Sequence, residues 1–222
     1  MKNIGVIGLG DMGSGLAKNL IANGFSVFGM DLKPERRAAF TDMGGTLVND
    51  AAELGHRVDA VFVMVMNGDQ AKSVILGPDG LIEHMQTGGV VILSATIKPH
   101  EAVEIGVAMQ GSGIDLIDTP VSGGFPGAQG GTLTMMAAAA EDVMTRARPV
   151  LEAVSASIHH VGTKAGDGQT VKACLQSLIG SVFSATFEAA ALAAKAGVSG
   201  EVLYNVSSTS GAGSGVVDNA LQ

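Results

Sequence analysis

The sequence predicts an α/β protein built on a doubly wound, mostly parallel sheet. Three observations carry this prediction. Short apolar segments alternate with helix-forming stretches along most of the chain; the first of them runs straight into a glycine-rich turn that opens a helix; and Ala60-Val61-Phe62-Val63-Met64-Val65-Met66 is a nearly unbroken apolar run, of the kind needed by a parallel strand covered on both faces.

In chain order, Asn3 to Ile7 reads as a strand, Gly8-Leu9-Gly10-Asp11-Met12-Gly13 as a G-x-G-x-x-G turn, and Ser14 to Ala22 as the helix behind it. Asn23-Gly24 stops that helix, and Phe25 to Asp31 is the second strand. A helix over Pro34 to Met43, a short strand over Thr46 to Val48 and a helix over Asp50 to Leu54 follow, and then the strand Asp59 to Met66. Gln70 to Leu76 is helical, Gly77-Pro78-Asp79-Gly80 is a turn, Gly89 to Ser94 is a buried strand, Pro99 to Gln110 is a helix, and Ile114 to Ile117 is a strand leading into Asp118-Thr119-Pro120-Val121-Ser122-Gly123-Gly124. The pair His159-His160 falls in a further strand, where it reads as structural for want of a companion ligand. A glycine-rich stretch from Gly162 then enters a long helix. Its Ala173 to Ala194 portion is apolar, yet it carries Gln176, Glu188 and several Ser and Thr residues, which favours a buried helix of a soluble protein over a membrane span.

Composition narrows the class. An apolar content of 46% with 15% charged residues is that of a globular chain, and a net charge of −8 argues against a general nucleic-acid or acidic-membrane partner. A lone cysteine, Cys174, excludes an internal disulfide framework and fits a reducing, cytoplasmic compartment. Lys2 precedes an apolar run, but Asp11 interrupts it and no small-residue cleavage pattern follows, so no targeting segment is read.

The glycines have separable roles. Gly8 permits a tight turn, Gly10 lets backbone approach a pyrophosphate, Gly13 lets helix and strand pack closely, and the helix N-terminus supplies free N–H groups; Leu9, Asp11 and Met12 complete the loop. Asp31 stands 18 residues beyond Gly13, near the spacing of a carboxylate that binds the adenosine ribose hydroxyls, and it would repel a ribose phosphate. This favours NAD over NADP, with Lys33, Arg36 and Arg37 as possible offsets; the alternative for Asp31 is a helix cap before Pro34. Met66, Asn67 and Thr96 follow the carboxyl ends of strands and are placed to line a cofactor, although Thr96 could equally cap the Pro99 helix. Ser122, Gly123 and Gly124 offer a hydroxyl and two unobstructed N–H groups to an anion such as a small carboxylate. No metal-ligand pattern is read.

Several of these stretches occur in the order in which they stand in the β-hydroxyacid dehydrogenase family: Gly8 to Gly13, Leu76-Gly77-Pro78-Asp79-Gly80-Leu81, Asp118 to Gly124, Gly131-Thr132-Leu133, and Gly166-x-Gly168-x-x-x-Lys172. The chain resembles this family, which includes 3-hydroxyisobutyrate, tartronate semialdehyde, L-threonate and 6-phosphogluconate dehydrogenases, over its whole length. The resemblance implies a Rossmann-type dinucleotide-binding domain over 1–161 and, over 162–222, a connecting helix and the start of an all-helical domain that forms a homo-oligomer. It implies that Ser122, Gly123 and Gly124 hold a substrate carboxylate and that Lys172 is the catalytic acid/base. Independently, alcohol oxidation needs a base for the hydroxyl proton, and a desolvated lysine has a lowered pKa; a neighbouring substrate carboxylate would raise it again, so a purely anchoring lysine is the alternative.

Two departures from the family stand out. Asn is usual three or four residues after the lysine, whereas here Leu175 and Gln176 occupy those positions; Gln176 lies one helical turn from Lys172 and suits a polyol such as L-threonate. Relatives also continue with further helices, so the sequence is expected to be truncated at Gln222 or to continue outside it. Ser207 to Gly215 reads as a linker by composition and as a turn near the substrate pocket by the resemblance. The expected activity is NAD-dependent interconversion of a small 3-hydroxy acid with its aldehyde or ketone. The alternatives are a 3-hydroxyisobutyrate dehydrogenase, a glyoxylate or succinic semialdehyde reductase, an imine reductase, against which Lys172 counts, and a non-catalytic cofactor-binding protein.

Overall fold

The computed structural model describes residues 1–221. The chain divides into two compact units, Met1–Lys172 and Ala173 onward.

In the first unit, strands β1 (Asn3–Ile7), β2 (Ser26–Met30), β3 (Thr46–Leu47), β4 (Ala60–Val63), β5 (Val90–Leu93) and β6 (Asp115–Asp118) alternate with helices α1 (Asp11–Ala22), α2 (Pro34–Asp42), α3 (Ala51–Gly55), α4 (Gly68–Leu76), α5 (Leu81–His84) and α6 (Pro99–Ala108). Then come β7 (Val121–Ser122), α7 (Gly124–Gly130), β8 (Leu133–Ala138), α8 (Glu141–Glu152) and β9 (Ser155–Gly162). The described strands form one sheet in the order β3-β2-β1-β4-β5-β6-β8-β7, with β9 paired to β8. The pairings from β3 to β6 are parallel, β8 runs antiparallel to β6 and β7, and β9 is parallel to β8.

The two faces of this sheet bury different residues of the same strands. Ala60 and Phe62 of β4 join Val6, Leu16, Leu20 and Ile92 on one side, while Val61 and Val63 join Ala71, Leu93 and Ile105 on the other. Continuous apolar runs therefore read as strands because both faces are covered by helices. The paired part of β4 is shorter than the apolar run: Met64 is the last residue bonded to the neighbouring strand, donating its N–H to the Ile7 carbonyl, while Met66, whose N–H goes to Gln70 Oε1, is 84% exposed. Helix α1 begins at Asp11, directly after Gly10, rather than at Ser14. Helices α5, α7 and α8 and strands β7 and β8 were not expected from the sequence; α7 is rich in glycine, and α8 contains Pro149.

Helix α9 (Asp167–Lys195) starts in the first unit and continues into the second, which also contains α10 (Gly200–Ser208) and α11 (Gly215–Leu221). Ser199 caps α10 through Val202 N–H, and Ser208 bonds Asp218 of α11. The Ser207 to Gly215 stretch is thus the end of one helix, a turn and the start of the next, which corrects the linker reading. The expectation of a buried α9 is corrected too. By length and composition the helix could cross a membrane, with a mean hydropathy of 1.4 over its most apolar window, and only 6% of that window is buried within the chain. Leu178 and Leu192 are 62% and 70% exposed. Helical periodicity shows which residues share a face; it does not show whether the chain itself covers that face.

Candidate active site

The glycine turn between β1 and α1 has the geometry that its sequence demands. Gly8 has φ +88°, and a Cβ there would sit 2.3 Å from the Met64 carbonyl oxygen; at Gly13 it would sit 1.8 Å from the Gly8 carbonyl oxygen. At Gly10 a Cβ would meet only the end of the Arg36 side chain, at 3.4 Å. No side chain caps α1, so its first-turn amides, from Asp11 and Met12 onward, are available to an anion. A dinucleotide's pyrophosphate therefore fits this turn.

Asp31, at the end of β2, is held inside the same turn. Its Oδ2 accepts Leu9 N–H at 2.8 Å and its Oδ1 accepts Lys33 N–H at 2.8 Å. The Arg36 guanidinium lies 3.4 Å from Oδ2, and the Asp31 side chain is 6% exposed. The cap alternative is thereby partly met, through the N–H of Lys33, the N-cap residue of α2. Arg36, one of three candidate cations in the sequence, is the one beside Asp31, because Arg37 reaches toward the Val48 carbonyl instead. A cavity of about 220 Å³ adjoins this corner, lined by Leu9, Gly10, Asp11, Ser14 and Arg36 among others.

Two further loops follow the carboxyl ends of strands. The Asn67 side chain accepts Gln70 N–H as the cap of α4, so this acceptor is already engaged. Thr96 is exposed after β5, and its cap alternative fails, since Lys98 is the N-cap residue of α6.

The substrate-side candidates come from β7 and α9. Gly123 and Gly124 have φ +127° and +57°, a reversal that glycine tolerates, and Ser122 is half-buried just before them. Helix α9 packs its first turn directly against the strand ends: a Cβ at Gly168 would lie 2.5 Å from the Met136 carbonyl oxygen and 2.6 Å from that of Asp118. This close approach is why a glycine-rich entry precedes Lys172. Asp118, fully buried at the end of β6, accepts the N–H groups of Gly166 at 2.8 Å and Gln169 at 3.2 Å. Burial nevertheless outweighs these bonds and raises its pKa above the ordinary carboxylate value. Lys172 is 7% exposed and has no hydrogen-bond or ion-pair partner among the described residues; burial holds its pKa below the usual lysine range. Gln176, four residues on in α9, is exposed in the second unit. Sequence reasoning missed Gln169 and the acceptor role of Asp118. Asp118 lay inside a recognised stretch, but its partners are about fifty residues away.

Away from these loops, His160 is set between the Glu141 carboxylate at 3.1 Å and the Ala139 carbonyl at 2.8 Å. Asp79, Glu83 and His84 bring three ligand-type atoms within 4.8 Å of one another at the α4–α5 turn, with both carboxylates exposed.

Residues 3–162 match the family profile described as the NAD binding domain of 6-phosphogluconate dehydrogenase, and residues 166–222 match that of the NAD-binding region of NADP-dependent 3-hydroxyisobutyrate dehydrogenase. The chain is 39% identical to L-threonate dehydrogenase of Cupriavidus necator, covering 99% of this chain and 74% of that protein. It is 35% identical to 3-hydroxyisobutyrate dehydrogenase of Pseudomonas aeruginosa, covering 96% and 71%. A crystal structure of 3-hydroxyisobutyrate dehydrogenase from Salmonella typhimurium superposes with a TM-score of 0.89 at 35% identity, covering 99% of this chain and 76% of that one. With the glycine turn, the parallel sheet and both profiles in agreement, the chain belongs to the β-hydroxyacid dehydrogenase family of NAD-dependent oxidoreductases.

Proposed function

We propose that the protein interconverts the 3-hydroxyl of a small hydroxy acid with the corresponding aldehyde or ketone, that its substrate is a sugar acid of the L-threonate type, and that it prefers NAD to NADP. The observation that carries the reading is Lys172: a buried lysine without a partner among the described residues, at the start of a helix anchored to the strand that leads into Ser122. An unpaired buried ammonium is costly, and such cost is expected where the group has chemistry to perform.

In this reading the dinucleotide-binding domain spans 1–161, and the connecting helix with the start of the helical domain spans 162–222. The amides of the Gly8 to Gly13 turn hold the pyrophosphate, and Asp31 retains acceptor capacity for the ribose hydroxyls beyond the two N–H groups it already binds. Met66, Asn67 and Thr96 flank the remainder of the cofactor. Ser122 Oγ and the N–H groups of Gly123 and Gly124 hold the substrate carboxylate, and Gln176 orients the polyol. NAD, held by the Gly8 to Gly13 turn and Asp31, would supply the hydride acceptor for the carbinol carbon. Neutral Lys172 takes the hydroxyl proton on Nζ, and in the reverse direction its ammonium returns that proton to the carbonyl oxygen. The exposed apolar residues of α9 support a homo-oligomer through the C-terminal helices. The single cysteine supports a reducing, cytoplasmic setting. Relatives named L-threonate dehydrogenase, at 30–39% identity, support the substrate class.

Turnover of L-threonate, 3-hydroxyisobutyrate, glycerate and 4-hydroxybutyrate with NAD and with NADP tests this reading. The highest kcat/KM is expected for L-threonate with NAD. Preference for 3-hydroxyisobutyrate would assign the aliphatic substrate instead, and NADH binding without turnover of any of the four would reject the enzymatic reading.

A further inference from the structure

Gln169 is 1% exposed in the first turn of α9, and every polar atom of its side chain is engaged. Oε1 accepts the Ile97 N–H at 3.1 Å, while Nε2 donates to the Ala95 carbonyl at 3.0 Å and to Asp118 Oδ1 at 2.9 Å. The partners dictate the orientation of the amide: an N–H faces Oε1, and a carbonyl and a carboxylate face Nε2. A carboxylate here would be repelled by two acceptors, and a hydrocarbon would remove the bonds that the amide makes to the Ile97 N–H, the Ala95 carbonyl and Asp118 Oδ1. Ala95 and Ile97 are the residues on either side of Thr96, in a segment beyond the end of β5. Backbone outside a sheet must find its partners elsewhere, and here one side chain supplies partners on both sides of Thr96. Lys172 follows three residues later on the same helix.

We propose that Gln169 is a positioning residue, whose buried amide sets the Thr96 loop against the first turn of the helix carrying Lys172 and thereby fixes the nicotinamide end of the site. The proposal rests on the reading that Thr96 and Lys172 serve that end. The adenosine end, at Gly10 and Asp31, is held by separate contacts. Loss of the amide therefore affects one half of the cofactor site and spares the other.

The test compares NADH with ADP-ribose, which lacks the nicotinamide, on Gln169→Met and Gln169→Glu. For Gln169→Met, NADH affinity is expected to fall about 10-fold and kcat up to about 100-fold, the scale of a misplaced reacting group, with ADP-ribose affinity and hydroxy-acid KM nearly unchanged. Gln169→Glu is expected to behave like Gln169→Met at alkaline pH and to recover NADH affinity on acidification. A protonated carboxyl can again donate toward Ala95 or Asp118, the ionisable group bonded to this amide. Equal weakening of NADH and ADP-ribose would overturn the proposal in favour of a general structural role, as would wild-type NADH affinity and turnover in Gln169→Met. If Lys172→Ala retains turnover, the underlying reading of the site falls, while the NADH-to-ADP-ribose comparison still decides whether the amide acts on one half of the cofactor.

Discussion

Replacing Lys172 with Met separates its chemical role from its structural one, because the two are expected to change in opposite directions. The side chain is 7% exposed and faces no partner among the described residues, and burial depresses its pKa. A lysine with a lower pKa in the folded than in the unfolded chain holds fewer protons when folded, between that folded value and the unfolded one of about 10.4. Wild-type stability therefore rises with pH across that window and is lowest below it, where the folded chain must carry the desolvated charge. Each tenfold displacement of the acid constant is about 1.4 kcal/mol, and each kcal/mol moves Tm by about 2–4 °C in a chain of this size. Lys172→Met removes the charge and keeps the length, so its Tm at neutral pH is expected to exceed wild type, with the gap closing toward pH ~10. Oxidation is expected to fall by about 10²–10⁴-fold, the contribution of a positioned base. The wild-type rise of oxidation rate with pH should flatten in the variant. Thermal melts at neutral and alkaline pH, with steady-state oxidation across the same range, measure both effects. Retained activity within tenfold, or a lower Tm at neutral pH, would refute the reasoning.

Three further perturbations address other parts of the protein. Asp31→Ser removes the carboxylate beside Arg36 and frees the guanidinium for a ribose phosphate, so the ratio of kcat/KM for NADP over NAD is expected to rise about 10–100-fold, the worth of a charged hydrogen bond. Gly13→Ala places a Cβ 1.8 Å from the Gly8 carbonyl oxygen, which only backbone movement can relieve. The expected cost is about 1–3 kcal/mol in denaturant unfolding, with a matching loss of NADH affinity by titration. Leu178→Glu combined with Leu192→Glu places charges on the exposed face of α9; sedimentation should show wild type self-associating and the double variant dissociated, and a monomeric wild type would refute the assembly.

Much of the first unit was legible because its signals are local. A strand buried on both faces needs an unbroken apolar run, and the run through Val61 and Phe62 has that form. A sharp turn at Gly8 and close packing at Gly13 exclude a Cβ, so the spacing of the glycines already contains the geometry. The glycines before Lys172 carry the same information, since α9 touches the carbonyls of Met136 and Asp118 there. Sequence by itself therefore determined the strands from β1 to β6 and the local geometry of the glycine turn.

What tertiary structure alone decided depends on residues far apart in the chain. The Gln169 amide meets Ala95 and Ile97 across more than seventy positions, and nothing near Gln169 distinguishes it from a surface glutamine. Arg36 rather than Arg37 faces Asp31 because of its position on α2 against the glycine turn. Burial of Lys172 and exposure of α9 are likewise properties of what packs against a helix. Composition and spacing set which groups share a face, but the free energy of each group depends on the neighbours that the fold brings to it.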